Sequence, residues 1–322
     1  MTARHNPIHT AAIKPALWML AASFAFATMG VCVKLGSSYF SSGEMVFYRG
    51  VVGLLFMLVW ARVAGISLRT PVPKMHLVRS CLGVFSLSAW FYAIAHLHIA
   101  TAMTLNYMSS VWLAAFVVGG ALWWQQQKKD HHGLQAALVA TLLAGFVGVL
   151  LVLRPAFEAG QEFAGVVGLI SGIVAAFAYL QVSSLARAGE PEIRTVFYFA
   201  VGTVLVGLLS MAFTGVSPWP AWDTANGHIP GALWLLPIGV LASIGQVCMT
   251  RAYGSGATLL VANLQYMGIV YAALYGLFIF GDEIMLTAWL GMALIIVCGI
   301  AAAVLRAKTQ TPTSKPEPAE EY

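Results

Sequence analysis

The side chains that could do chemistry in this sequence are few, and nearly all of them sit inside apolar runs. Arg49 lies five residues beyond Glu44 in the run 44–62. A guanidinium carries five N–H donors in a planar fork that fits a carboxylate or phosphate through two parallel bonds. Buried in a bilayer it is costly, and it faces either a cavity or a partner. Two readings of Arg49 stand at this point. It binds an acidic group of a substrate, or it tethers Glu44 or a helix-end carbonyl and snorkels outward. Asn106–Tyr107 and Gln265–Tyr266 fall eight to ten residues into two other apolar runs. Amides and phenols at that depth must hydrogen-bond to neighbouring helices or to cargo. Trp90, Tyr92, Tyr179, Gln246 and Asn263 extend this aromatic and amide set, and Tyr48 adjoins Arg49. The expected substrate contacts are Arg49, Tyr48, Trp90, Asn106, Tyr107, Gln265 and Tyr266.

Other chemistries find little support. Glu44, Asp282 and Glu283 stand at the ends of apolar runs, and no Asp or Glu falls in the middle of one. Glu44 is therefore the candidate for proton coupling, and without it the protein would exchange substrates or pass them singly. His96 and His98 are two residues apart, the wrong spacing for one helix face, and no third ligand accompanies them; no metal site is expected. Cys32, Cys81, Cys248 and Cys298 form no C-x-x-C pair. The chain has no G-x-S-x-G, no H-E-x-x-H and no P-loop, so neither an enzyme nor a cofactor is expected. A channel and an intramembrane enzyme are the alternatives to a carrier.

The elements that must position these residues follow from charge spacing. From Arg79 to Lys128 the chain runs 48 residues without Asp, Glu, Lys or Arg. A helix crosses a bilayer core with about 20 apolar residues, so this stretch holds two spans and a tight turn. The whole chain of 322 residues is 60% hydrophobic and 9% charged, against about 25% charged in a soluble domain. Its net charge of +5 is scattered between apolar runs, not gathered into a basic stripe, which excludes nucleic acid as a partner. Ten spans are predicted at 15–35, 44–62, 78–96, 99–124, 133–153, 163–185, 194–214, 231–251, 256–280 and 285–305. All are helices, because a lone strand in lipid leaves its backbone groups unpaired. The fold class is an all-α polytopic membrane protein.

With the N-terminus inside, 14 of the 17 Lys and Arg residues fall on cytoplasmic segments, among them Arg79 and the pair Lys128–Lys129. The positive-inside bias thus places both termini in the cytoplasm. Residues 1–14 form a cytoplasmic N-terminus, 154–162 an external linker, and 306–322 a disordered cytoplasmic tail rich in Pro, Thr, Lys and Glu. The small-molecule substrate and the lipid bilayer are the partners. No obligate protein partner is evident, and a homodimer stays open.

The chain also repeats itself. Ala93 to Met108 and Ala252 to Met267 align at an offset of 159, pairing Asn106 with Gln265 and Tyr107 with Tyr266. Val46–Phe47–Tyr48 matches Val196–Phe197–Tyr198 at an offset of 150. Each half reads as two spans, two more joined by a very short turn, then a fifth. Five is odd, so the halves enter the membrane from opposite sides, as in the inverted repeats of secondary transporters. The expected repeats are 15–153 and 163–305.

With this layout the chain resembles the EamA-type transporters of the drug/metabolite transporter superfamily over about residues 15–305. The resemblance rests on the ten-span order, Phe47–Tyr48–Arg49, the short turns 96–98 and 252–257, and Gly281–Asp282–Glu283 closing the ninth span. A proline common midway along the fourth span of each repeat is absent near Tyr107 and Tyr266. The first repeat closes its fourth span with Trp123–Trp124–Gln125, not an acidic residue. The resemblance implies a secondary carrier of the bacterial inner membrane that moves a small amphipathic metabolite: an amino-acid derivative, a nucleoside- or vitamin-like compound, or a xenobiotic.

Overall fold

Ten helical rods make up the protein, with no strand among the described residues. The computed structural model describes residues 7–97, 99–123, 132–155, 159–215, 228–281 and 283–309. The helices are α1 (Pro7–Gly36), α2 (Ser42–Val63), α3 (Pro73–His96), α4 (Ile99–Tyr107), α5 (Ser109–Trp123), α6 (His132–Leu153), α7 (Glu162–Arg187), α8 (Glu192–Thr214), α9 (His228–Gly254), α10 (Thr258–Leu264), α11 (Met267–Tyr275) and α12 (Leu286–Thr309). α4 and α5 are two pieces of one rod. α10, α11 and a π turn at Gly276–Phe280 are three pieces of another.

Nine of the rods are long and apolar enough to cross a membrane. The tenth, α3, has the length, and its first two turns carry Lys74, His76 and Arg79. Large apolar side chains point outward around the bundle, including Leu55, Val59, Leu205, Leu209, Leu233 and Ile300. A water-soluble monomer rarely exposes such a belt; lipid is the solvent that covers it.

Three helix ends depart from the sequence reading. α1 starts at Pro7, not 15, so Lys14 lies inside it. α3 starts at Pro73, not 78, because a proline suits the first helical turn, where its missing N–H costs nothing. α12 runs through Arg306 to Thr309, into the stretch expected to be disordered. Residues 1–6 and 310–322, the loop 124–131 with Lys128, Lys129 and His131, the linker residues 156–158, and His98 and Asp282 lie outside the described residues.

The principal packing is between the first five rods and the last five. α1 lies along α9 and α3 along α7, so the first rod of each half packs on the third rod of the other. α2 lies along α8, the second rod of each half. α6 lies along α12, the fifth of each. Exchanging the halves therefore maps this packing onto itself. Gly168-x-x-x-Gly172 on α7 allows one of the close approaches: a Cβ on Gly172 would stand 2.5 Å from the Leu105 carbonyl of α4. At Gly119 and Gly120 of α5, by contrast, an added Cβ would meet nothing within 4 Å.

Candidate functional site

Arg49 opens the site. It lines a narrow cleft bounded by α2, α8 and α9, whose free volume of about 20 Å³ holds about one water. Gly50, Gly53, Phe199, Thr203, Ser243 and Gln246 share the lining with it. Its Nε is buried without a hydrogen-bond partner. The tether to Glu44 does not form. Glu44 instead closes a capping box at the start of α2, accepting bonds from the Ser41 backbone N–H at 2.8 Å and the Ser41 hydroxyl at 2.7 Å. This satisfies donors that a helix N-terminus leaves orphaned.

A second arginine, outside the cleft lining, packs on one of its walls. Arg79 is only 3% exposed. Its guanidinium lies 4.6 Å from the centre of the Phe199 ring, the ring that lines the Arg49 cleft. Nε and one terminal nitrogen of Arg79 have no hydrogen-bond partner. Gly83, one turn further along α3, makes the room: a Cβ there would overlap the Arg79 guanidinium and stand 2.8 Å from Phe199. The sequence reading set Arg79 at the edge of a span as an orientation charge. Pro73 was the signal that could have moved it two turns inward.

Between α7, α9 and the end of α10 stands an amide and phenol ladder. The Tyr253 hydroxyl donates to Gln265 Oε1 at 2.9 Å, and Gln265 Nε2 donates to the Tyr179 hydroxyl at 3.4 Å. The Tyr179 and Tyr253 rings stack at 5.1 Å. Gln265 thus bonds Tyr179 directly, and Tyr253, a tyrosine the sequence does not single out, completes the group. Asn263 is 1% exposed, and neither of its amide atoms has a partner.

The other expected contacts are distributed differently. Tyr107 and Tyr266 do meet, with ring centres 6.2 Å apart. Tyr266 is wholly buried and packs on Gly145 of α6 and Cys298 of α12, away from the Arg49 cleft. The Tyr107 hydroxyl lies over Gly268. Tyr48 stacks edge-on against Phe40 and Phe47 in a small apolar cluster with Leu235. Asn106 and Trp90 are half-buried on α4 and α3 and are not part of the cleft lining.

Both broken rods break within two residues of the positions the repeat pairs. α4 yields to α5 at Met108, and α10 yields to α11 at Gln265–Tyr266. No proline is needed. At the second break the Tyr266 N–H bonds to Asn263 at 3.2 Å, three residues back, and so leaves the Ala262 carbonyl free. The Ser110 hydroxyl of α5 donates to that carbonyl at 3.0 Å, and Ser23 of α1 donates to Leu264 at 3.4 Å. In lipid, freed backbone groups have to be satisfied this way. Ser110→Ala is therefore expected to cost about 1 kcal/mol, measured as a lower unfolding midpoint. Ser110→Thr should keep it. An unchanged midpoint in Ser110→Ala would mean the carbonyl finds another donor.

A second polar cluster lies at the bundle end where the 64–72 and 188–191 loops meet. Glu190, almost fully buried, accepts from Thr70 at 3.0 Å, from His76 Nε2 at 2.8 Å and from Arg194 at 2.9 and 3.0 Å. Burial alone would raise its carboxyl, yet the bonds from His76, Arg194 and Thr70, with the Arg194 charge, hold it below the ordinary carboxylate value. The stability this contributes is full above about pH 4.3 and fades as pH falls through the lower folded value. Glu190→Ala, which strands His76 and Arg194, is expected to cost about 3 kcal/mol near neutrality. The deficit relative to the parent should shrink on acidification; a pH-independent deficit in thermal melts would contradict the charge account.

Residues 13–154 match the EamA-like transporter family. The chain is 32% identical to the pseudopaline exporter CntI of Pseudomonas aeruginosa over 283 residues, 86% of this chain and 92% of that protein. It is 26% identical to a riboflavin transporter of Vibrio cholerae over 304 residues, 92% of this chain and 93% of the other. A solved crystal structure aligns with 92% of this chain and 99% of its own at a TM-score of 0.74 and 18% identity, a likeness of fold alone.

Proposed function

The chain belongs to the EamA-like transporter family and is a small-molecule transporter rather than an enzyme; from that premise we propose that it is a secondary carrier working by alternating access. Its cargo is a small amphipathic metabolite, of the kind of an amino-acid derivative or a vitamin-like compound. The repeats run over 15–153 and 163–305, and the membrane is the bacterial inner membrane with both termini on the cytoplasmic side.

The observation that carries this reading is the exchange symmetry of the packing, joined to the paired breaks. Two halves whose contacts map onto each other can rock between equivalent arrangements that open a shared cavity to one side or the other. Discontinuous helices near the midplane are where such carriers place their sites. Arg49 in its cleft, with Gln246 beside it, is the proposed contact for cargo, and Asn106, Tyr107, Gln265 and Tyr266 ring the breaks that move.

The test is flux in proteoliposomes of the purified chain, with riboflavin and a panel of amino-acid derivatives, nucleosides and vitamins. Saturable uptake without ATP is expected for at least one of them. A folded protein that moves none would count heavily against a carrier. Currents far above carrier rates on planar bilayers would mean a channel. Cysteine labelling from either side at each terminus tests the orientation; termini on opposite sides would end the inverted-repeat reading.

A further inference from the structure

The described part of the bundle has a charge inventory that does not close. Five carboxylates are described: Glu44, Glu162, Glu190, Glu192 and Glu283. Glu44 is taken up by the Ser41 capping box. Glu162 accepts from the Gly160 backbone N–H. Glu190 is surrounded by His76, Arg194 and Thr70, and Glu192 pairs with Arg251 at 3.4 Å. Glu283 is exposed, beyond the end of the π turn. None is within ion-pair distance of Arg49 or Arg79.

Two guanidinium groups therefore face the α2–α3–α8–α9 region without a countercharge. Each unpaired buried ion costs several kcal/mol in a low-dielectric interior. The stack of Arg79 on Phe199 offsets part of that cost, yet leaves two of its nitrogens without acceptors. Gly83 leaves space for this guanidinium against Phe199. The geometry is that of a cation held ready, with Phe199 shared between Arg79 and the cleft that Arg49 lines.

We propose that Arg49 and Arg79 form a two-pronged anion site, so that the transported molecule carries two acidic groups on an apolar or aromatic body that lies against Phe199. This rests on the carrier reading for its place in transport, while the binding it asserts can be measured without any flux. One acidic group takes the Arg49 fork as the cleft, narrow without cargo, widens around it. The second takes the free donors of Arg79 at the edge of Phe199. Cargo then supplies the missing countercharge and satisfies both arginines at once, which the empty protein cannot do. Glu44 and the His76–Glu190–Arg194 cluster, already bonded, take no part.

The probes are α,ω-dicarboxylates of four to eight carbons and the phthalate isomers, each set against its half-amide. Binding to the purified full chain is read by equilibrium dialysis. At least one diacid is expected to bind at least tenfold tighter than its half-amide. Arg49→Gln and Arg79→Gln should each weaken the diacid roughly 10- to 100-fold and bring the ratio of diacid to half-amide toward one. Arg79→Lys, which keeps the charge and loses the fork, should fall between. Three results would overturn the proposal: no diacid binds, half-amides bind as well as diacids, or Arg79→Gln lowers the melting temperature while leaving the ratio intact. Flux is scored separately. Transport of neutral cargo with no diacid preference would sink this inference and leave the carrier standing. Arginine-dependent diacid binding without any flux would do the reverse.

Discussion

Arg49→Ala protein reconstituted in proteoliposomes is expected to lose roughly 10- to 100-fold in flux at limiting substrate while melting no lower than the parent. The two halves of that result come from one fact. Arg49 is a half-buried cation whose Nε is enclosed without an acceptor and which has no ion-pair partner among the described carboxylates. Removing a paired buried charge destabilises, because it strands the partner; removing an unpaired one relieves a desolvation cost. Stability should therefore hold or rise. Binding should suffer, because a charge-assisted bond to cargo is worth about 1.5–3 kcal/mol. Arg49→Lys should recover part of the flux, since a point charge replaces a fork. The readouts are initial rates for whichever panel metabolite the parent carries, and the unfolding midpoint in the same detergent. A midpoint that drops together with flux would show Arg49 to be part of the scaffold.

The contrast between Arg49 and Arg79 shows what the sequence could and could not reveal. Arg49 sits well inside an apolar run on any parsing of the charges, so its burial was legible. Arg79 follows Lys74 by five residues, and charge punctuation puts Lys74 outside the span and Arg79 at its edge. The helix actually begins at Pro73, and burial of Arg79 depends on Phe199 from α8 and on the space at Gly83, contacts that no local pattern encodes. Glu44 is the opposite case: Ser41-x-x-Glu44 is a capping box legible from the sequence alone, and the structure forms it. The ten rods and the Tyr107–Tyr266 pairing were legible because spans obey a length rule and the repeat aligns those residues. The break at Gln265–Tyr266 was not, because without a proline it depends on Ser110 and Ser23 arriving from other helices to cap freed carbonyls.

The largest loss of stability is expected at the α6–α12 contact, where the fifth rods of the two halves meet. A Cβ on Gly148 would stand 2.7 Å from the Gly291 carbonyl, and a Cβ on Gly291 would stand 2.6 Å from the Gly148 carbonyl. The atoms in the way are backbone, held in helical hydrogen bonds, so no rotamer change makes room. The helices must separate, and Ile295, Leu151 and Val152, which close on the same glycines, lose their packing. In lipid this matters doubly, since van der Waals contact between close backbones takes the place of a hydrophobic drive. Gly291→Leu is expected to cost about 3 kcal/mol, and Gly148→Ala a smaller amount of the same sign. The control is Gly119→Ala in α5, which meets nothing within 4 Å; there alanine should stabilise by about 0.5–1 kcal/mol through helix propensity and a restricted unfolded chain. The measurement is the unfolding midpoint of each variant, and the decisive quantity is the sign. Helix propensity acts alike at all three sites, so only the backbone contact can reverse it at Gly148 and Gly291. If Gly148→Ala stabilised as Gly119→Ala does, the fifth rods could not lie as close as this fold requires.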